Sequence, residues 1–269
     1  MRKRHFIFAG LGTLALFWLS GATPALAQSQ EELAKKLANP IASLISFPLQ
    51  QNFDINYKPD GGFKYTLNVQ PVIPFALSKK WNLISRTILP IASQNNVTAL
   101  GSMQSGLGDI LQSFFFSPAQ PKGGVTWGAG PVFLLPTATN EFLGGGKWGV
   151  GPTIVVLKQS GPWTVGLLAN HIWSIAGDAE RPYFSLTFFQ PFVSRAYKGG
   201  FSWTVNTENS QNWTADAFNG SLNVSLAQVV PVFGQLVQVS LGPKIAYGNA
   251  PVRSHWGFRV NITLLFPKK

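Results

Sequence analysis

The sequence contains no cysteine. That absence excludes thiolate metal sites, a disulfide framework and a lipidated cysteine anchor together. Charge is also scarce: Asp, Glu, Lys and Arg make up 12% of residues, against 13% for the aromatics, where a soluble domain carries about 25% charged residues. Such a balance predicts that much of the surface faces something other than water. Acidic residues are the scarcest, ten against 21 basic ones, giving a formal net charge of +11. Because the basic residues are scattered singly rather than clustered, the excess predicts no nucleic-acid partner. Anionic lipid head groups or lipopolysaccharide phosphates are the expected counter-charges.

Long apolar runs are missing except at the start. Arg2, Lys3 and Arg4 precede an apolar run, Phe6 to Leu19, and then Ala25-Leu26-Ala27, the three-part pattern of a secretory signal peptide cleaved after Ala27. The run is shorter than the roughly 18 to 20 residues a spanning helix needs. Residues 1–27 are therefore expected to be removed, leaving a chain of formal charge +8, since three basic and no acidic residues go with them.

Residues 28–46 hold the one convincing helical stretch. Leu33, Leu37, Ile41 and Leu44 recur at helical spacing, and Asn39-Pro40 has the form of a cap and first-turn proline restarting a second short helix. This amphipathic segment either lies at the membrane surface or the end of the domain, or plugs a pore. From residue 47 to 269 no helix-length interruption follows. Turn residues alternate with period-2 segments, and twelve strands are expected: 49–57, 63–75, 81–91, 107–117, 124–135, 147–158, 162–173, 183–193, 199–207, 219–229, 233–246 and 256–266.

Several segments alternate cleanly. Phe258, Val260, Ile262, Leu264 and Phe266 share one face while Arg259, Asn261 and Thr263 share the other. Segment 183–193 is apolar on both faces and carries less weight. After the first connection, short and long loops alternate, the longest being 92–106, 136–146 and 208–218. The fold class expected is all-β, a transmembrane antiparallel up-and-down β-barrel of about twelve strands with a short N-terminal helical segment, apolar side chains facing lipid. Trp81, Trp148, Trp163, Trp173 and Trp256 fall at strand ends, where aromatic girdles meet head groups. Prolines 71, 74, 90, 131, 152 and 191 fall inside the strands and should mark bulges or ends.

Chemistry-bearing motifs are weak. His171 and His255 have no second histidine or carboxylate at ligand spacing, so no metal or cofactor is expected. A serine hydrolase needs a serine and histidine on one face, whereas His171 shares its face with Trp173 and the nearest serine, Ser174, points away. "GLGD" at 106–109 lacks the lysine and helix of a phosphate loop. No enzyme is expected.

The segments "LNVQPVIPF" (67–75), "NLISRTILP" (82–90), "GAGPVFLLPTAT" (128–139), "GPWTVGLLANHIWSIAGD" (161–178) and "WGFRVNITLLFPK" (256–268) resemble the bacterial outer-membrane barrel family named for the meta-pathway of phenol degradation. The resemblance covers essentially the whole chain after residue 27. It implies a location in the bacterial outer membrane and a transporter-like uptake of small aromatic or apolar organic solutes. It carries no residue-level catalytic or binding motif. Family barrels end on an aromatic residue read by the barrel-assembly machinery, whereas here Phe266 is followed by Pro267-Lys268-Lys269.

Function is thus sought on the polar register, which points inward. It places Asp54, Lys64, Arg86, Asp109, Lys244 and Arg259 in the lumen as candidate selectivity residues, or as an ion-pair lattice that packs the interior. The alternatives to a pore are a closed barrel acting through its outer loops and a membrane-embedded lipid hydrolase.

Overall fold

The computed structural model describes residues 24–266 of the chain. The expected signal peptide lies outside the described residues up to position 23. Helix α1 spans Pro24–Leu37, so the expected cleavage point falls inside its first turns. It ends because Pro40 has no amide hydrogen to donate and forces the residue before it out of helical geometry. The second short helix expected at Asn39-Pro40 does not form. Asn39 instead closes a turn on itself, its Oδ1 accepting the amide of Ile41 at 3.0 Å; a cap without enough residues behind it makes a turn.

Twelve antiparallel strands follow. They are β1 Ile45–Tyr57, β2 Gly62–Val69 continued by Val72–Ala76, β3 Trp81–Asn95, β4 Met103–Leu107 continued by Ile110–Pro118, β5 Val125–Leu135 and β6 Lys147–Ser160. Then come β7 Trp163–Gly177, β8 Ser185–Ala196, β9 Phe201–Asn212, β10 Ala217–Val232, β11 Gln235–Gly248 and β12 Trp256–Phe266. Each pairs with its neighbours in chain order. The sheet closes where β1 pairs β12 from Ile45↔Phe266 to Ile55↔Trp256. Closure leaves no unpaired sheet edge, as a hydrocarbon surround requires.

Two of the long loops shrink because their strands run on. Expected loop 92–106 narrows to 96–102, and 208–218 to 213–216; loop 136–146 is as expected. In both hairpins the residues beyond the apolar alternation are polar, such as Gln94, Glu208 and Ser210, yet they stay paired. The missing signal is apolar alternation, which fades above the lipid band while backbone pairing continues.

Prolines sit in the ladder in a regular way. Gly130-Pro131, Gly151-Pro152 and Gly242-Pro243 each fall in a gap between paired residues after which the register resumes unshifted. Proline cannot donate there, and the glycine before it lets the next strand press close: a Cβ on Gly151 or Gly242 would collide with the carbonyl oxygen of His171 or Val224. Phe189↔Asn209 and Phe192↔Asn206 flank Pro191 in the same way. Of the prolines expected at bulges or ends, Pro71 lies at the break in β2 and Pro90 faces the break in β4, while Pro74 stays paired in register.

Outward residues are apolar and exposed, Leu226, Leu241, Val165 and Ile154 among them. The eight described tryptophans divide between the two rims. Trp81, Trp127, Trp163 and Trp203 lie at the N-terminal rim, with edge-on contacts Trp81–Trp127 and Trp163–Trp203; Trp148, Trp173, Trp213 and Trp256 lie at the opposite one. An apolar belt between two aromatic rings is the outer surface of a barrel set in lipid. Placing a charge in that belt tests it. Leu226→Arg, near the middle of β10, is expected to cost about 2–4 kcal/mol of unfolding free energy in lipid vesicles. Phe233→Arg, in the fully exposed turn, should cost almost nothing, and equal costs would contradict the belt.

Candidate functional site

The interior is not uniformly polar. Its N-terminal third is an apolar core in which Ile84, Phe115, Val155, Leu157 and Leu168 point inward and are buried. Segment 30–44 fills this end of the barrel. Ile41 inserts into that core, while Leu33, Ala34 and Leu44 pack on Ala196, Val229 and Leu265 from the wall. The backbone carbonyl of Lys35 also accepts a hydrogen bond from Gln159 Nε2 at 2.9 Å. Of the two expected placements, the segment takes the plug position inside the mouth. Apolar residues on both faces of 183–193, ambiguous in the sequence, arise because Phe188 and Phe192 of β8 face inward onto that core while Leu186 faces the open lumen.

Above the plug lies a cavity of about 670 Å³. Asp54, Lys64, Arg86, Lys244 and Arg259 all line it, as their register predicts, and so does a sixth charged residue, Glu208. Glu208 was missed because the sequence reading ended β9 at residue 207. The signal was present in the alternation of Ser202, Thr204 and Asn206, which continues inward to Glu208 and Ser210.

Glu208 is the anchor of the lumen. Arg259, three strands away around the wall, reaches across to it with Nη1 and Nη2 donating to the two carboxylate oxygens at 2.7 and 2.8 Å. Its Nε donates to Asn52 Oδ1 at 2.7 Å, so the guanidinium is held at three points. Nearer the opposite rim, Lys244 Nζ sits 2.7 Å from Asp54 Oδ1, with Lys64 paired across from Asp54 in the ladder. Pairing of this kind offsets the cost of taking these charges out of water.

Arg86 differs. Its hydrogen bond is to a neutral group, Gln70 Oε1 at 3.0 Å, and among the described residues neither it nor Lys64 has a carboxylate in ion-pair range. A smaller cavity of about 200 Å³ runs beside the plug from Arg86 to Asn39. Lys36 and Arg86 line it and, among the described residues, no carboxylate does.

Asp109 is placed elsewhere. It lies in the break of β4, and its two oxygens accept the amides of Ala138 at 3.1 Å and Gly145 at 2.6 Å, pinning loop 136–146. Thr137 and Thr139 complete the latch by accepting the amides of Ile110 and Leu107. A loop 30 residues away in sequence was not visible to strand alternation. Asp109→Asn is expected to weaken the latch by about 1–3 kcal/mol. Limited proteolysis should then cut within 136–146 faster than in the parent protein, and an unchanged rate would contradict the latch.

His171 faces outward beside Trp173, ring centres 4.2 Å apart. Ser174 bonds the backbone of Phe184 instead. A cross-strand neighbour invisible to linear spacing, Ser185, does approach: its Oγ is 3.1 Å from Nε2, while Nδ1 lies 2.7 Å from Thr187 Oγ1. The group behind the histidine is thus a hydroxyl, itself accepting from Trp213 Nε1, and not the carboxylate or amide that orients a catalytic imidazole.

Comparison with solved structures sets this geometry in context. An outer membrane channel from Pseudomonas putida F1 superposes with a TM-score of 0.67 at 15% identity, over 83% of this chain and 96% of that one. The chain has the fold of an outer-membrane channel. The NanC porin also superposes, with a TM-score of 0.50 at 8% identity, over 83% of this chain and all of the porin chain. No family model matches the sequence, and no curated protein does.

Proposed function

We propose that the protein is an outer-membrane pore or facilitator for the passive uptake of small organic solutes of aromatic or apolar character. The observation that carries this reading is the cavity: a barrel of this size filled only for structure would pack its interior throughout, yet here about 670 Å³ stays open above the plug. Two ion pairs, Lys244–Asp54 and Arg259–Glu208, fix charged side chains in its wall. The belt between aromatic rings supports insertion in the outer membrane, with the N-terminal rim and its shorter turns toward the periplasm. Lipid and lipopolysaccharide then surround the wall. A barrel acting through its outer loops is less well supported, because two of the three loops that could carry such binding are four and seven residues long.

Solute entry into liposomes carrying the refolded mature protein tests the reading. A neutral aromatic solute and a sugar of similar size are compared, with leakage through empty liposomes subtracted. Faster entry of the aromatic solute is the expected result. Equal entry would indicate a general pore without the apolar preference, and no entry of either into vesicles holding a folded barrel would overturn the proposal.

A further inference from the structure

The cavity wall is divided into two arcs. Among the described residues, every charged side chain lining it belongs to β1, β2, β3, β9, β11 or β12, whereas β4, β5, β7 and β8 contribute six apolar side chains, Leu111 and Phe188 among them, four neutral polar ones and no charge. On the charged arc four cations face two carboxylates. Both carboxylates are engaged, Asp54 with Lys244 and Glu208 with Arg259, so the surplus rests on Lys64 and Arg86.

Arg86 stands at the seam. Its strand, β3, is the last of the charged arc, and its ladder partner on β4 is Ser113, two residues from Leu111. It also borders the smaller cavity beside the plug, whose lining among the described residues holds Lys36 as a second cation and no anion. A guanidinium hydrogen-bonded only to a neutral amide keeps donors for a carboxylate.

Resting on the pore reading above, we propose that the solute is an amphipathic organic monoanion, its carboxylate on Arg86 and its apolar body against Leu111, Leu168 and Phe188. A purely apolar solute would leave the cations facing it uncompensated. A small hydrophilic anion would leave the apolar arc in contact with water. A molecule with one carboxylate and an aromatic or aliphatic body satisfies both arcs at once.

Planar bilayers holding the full mature protein test this with 3-phenylpropionate and 3-phenylpropan-1-ol, which share a body and differ in charge. Each is titrated as a blocker of the potassium chloride current. Half-block by the acid is expected at a concentration about tenfold lower than by the alcohol, the worth of one charge-assisted hydrogen-bonded contact. The difference should collapse in R86Q and return in R86K, with folding of each variant confirmed by its heat-modifiable mobility. Equal block by acid and alcohol in the parent protein would overturn the inference while leaving a pore. A persistent difference in folded R86Q would overturn the role of Arg86. Absence of any current would overturn the pore reading itself, and this inference with it.

Discussion

Replacing Ile41 with Asp is expected to open the barrel. Ile41 is 3% exposed and sits among Val72, Ile84, Phe115 and Leu168, where an ionised carboxylate would have neither partner nor water. The wall has its own closed hydrogen-bond ladder, so the charge is relieved most cheaply by undocking residues 30–44 and leaving the strands in place. The mouth that this segment fills is then vacated by a helix about 10 Å across, and the conductance of the mature protein should rise on the order of tenfold. Deleting residues 28–43 should produce the same rise. Currents in both variants equal to the parent's would show that the segment does not limit the path.

The second large effect concerns Glu208. Glu208→Gln removes the carboxylate that two nitrogens of Arg259 grip, and leaves that guanidinium buried and uncompensated. Breaking a buried pair from one side costs about 3–5 kcal/mol; with the two side chains 23% and 14% exposed, the lower end is expected here. Urea unfolding in lipid vesicles measures it. The double variant E208Q/R259Q should recover part of the loss, because no lone charge remains. A double variant whose loss equals or exceeds the sum of the two single losses would mean that the pair is not a unit.

Much of the fold was legible in the sequence, for a physical reason. Lipid outside and backbone closure leave little choice: a strand such as β12, with Phe258 to Phe266 alternating against Arg259 to Thr263, must turn its apolar face outward. All twelve expected strands formed, most of them on that alternation, and five of the six predicted lumen charges line the cavity. What was hidden lay where alternation carries no information. Glu208 sits beyond the last apolar residue of β9, and Asp109 in a strand break stabilised by a distant loop.

The interior was the larger surprise. Reading polar residues as inward is sound for a water-filled barrel, but the N-terminal end here is filled with the chain's own Leu33, Ile41 and Leu44. A lumen packed by a plug has an apolar inner face, so its strands, β8 above all, are apolar on both sides and lose their period-2 signal. Ambiguity in 183–193 was thus a mark of an inner face that is apolar both at the core Ile41 enters and in the cavity beyond it.

Single-channel current through the mature protein in planar bilayers tests the central claim most directly. With residues 30–44 filling one mouth of the barrel, small discrete steps are expected from the intact chain, and larger ones after deletion of residues 28–43. A barrel shown to be folded that passes no current in either form would contradict the account.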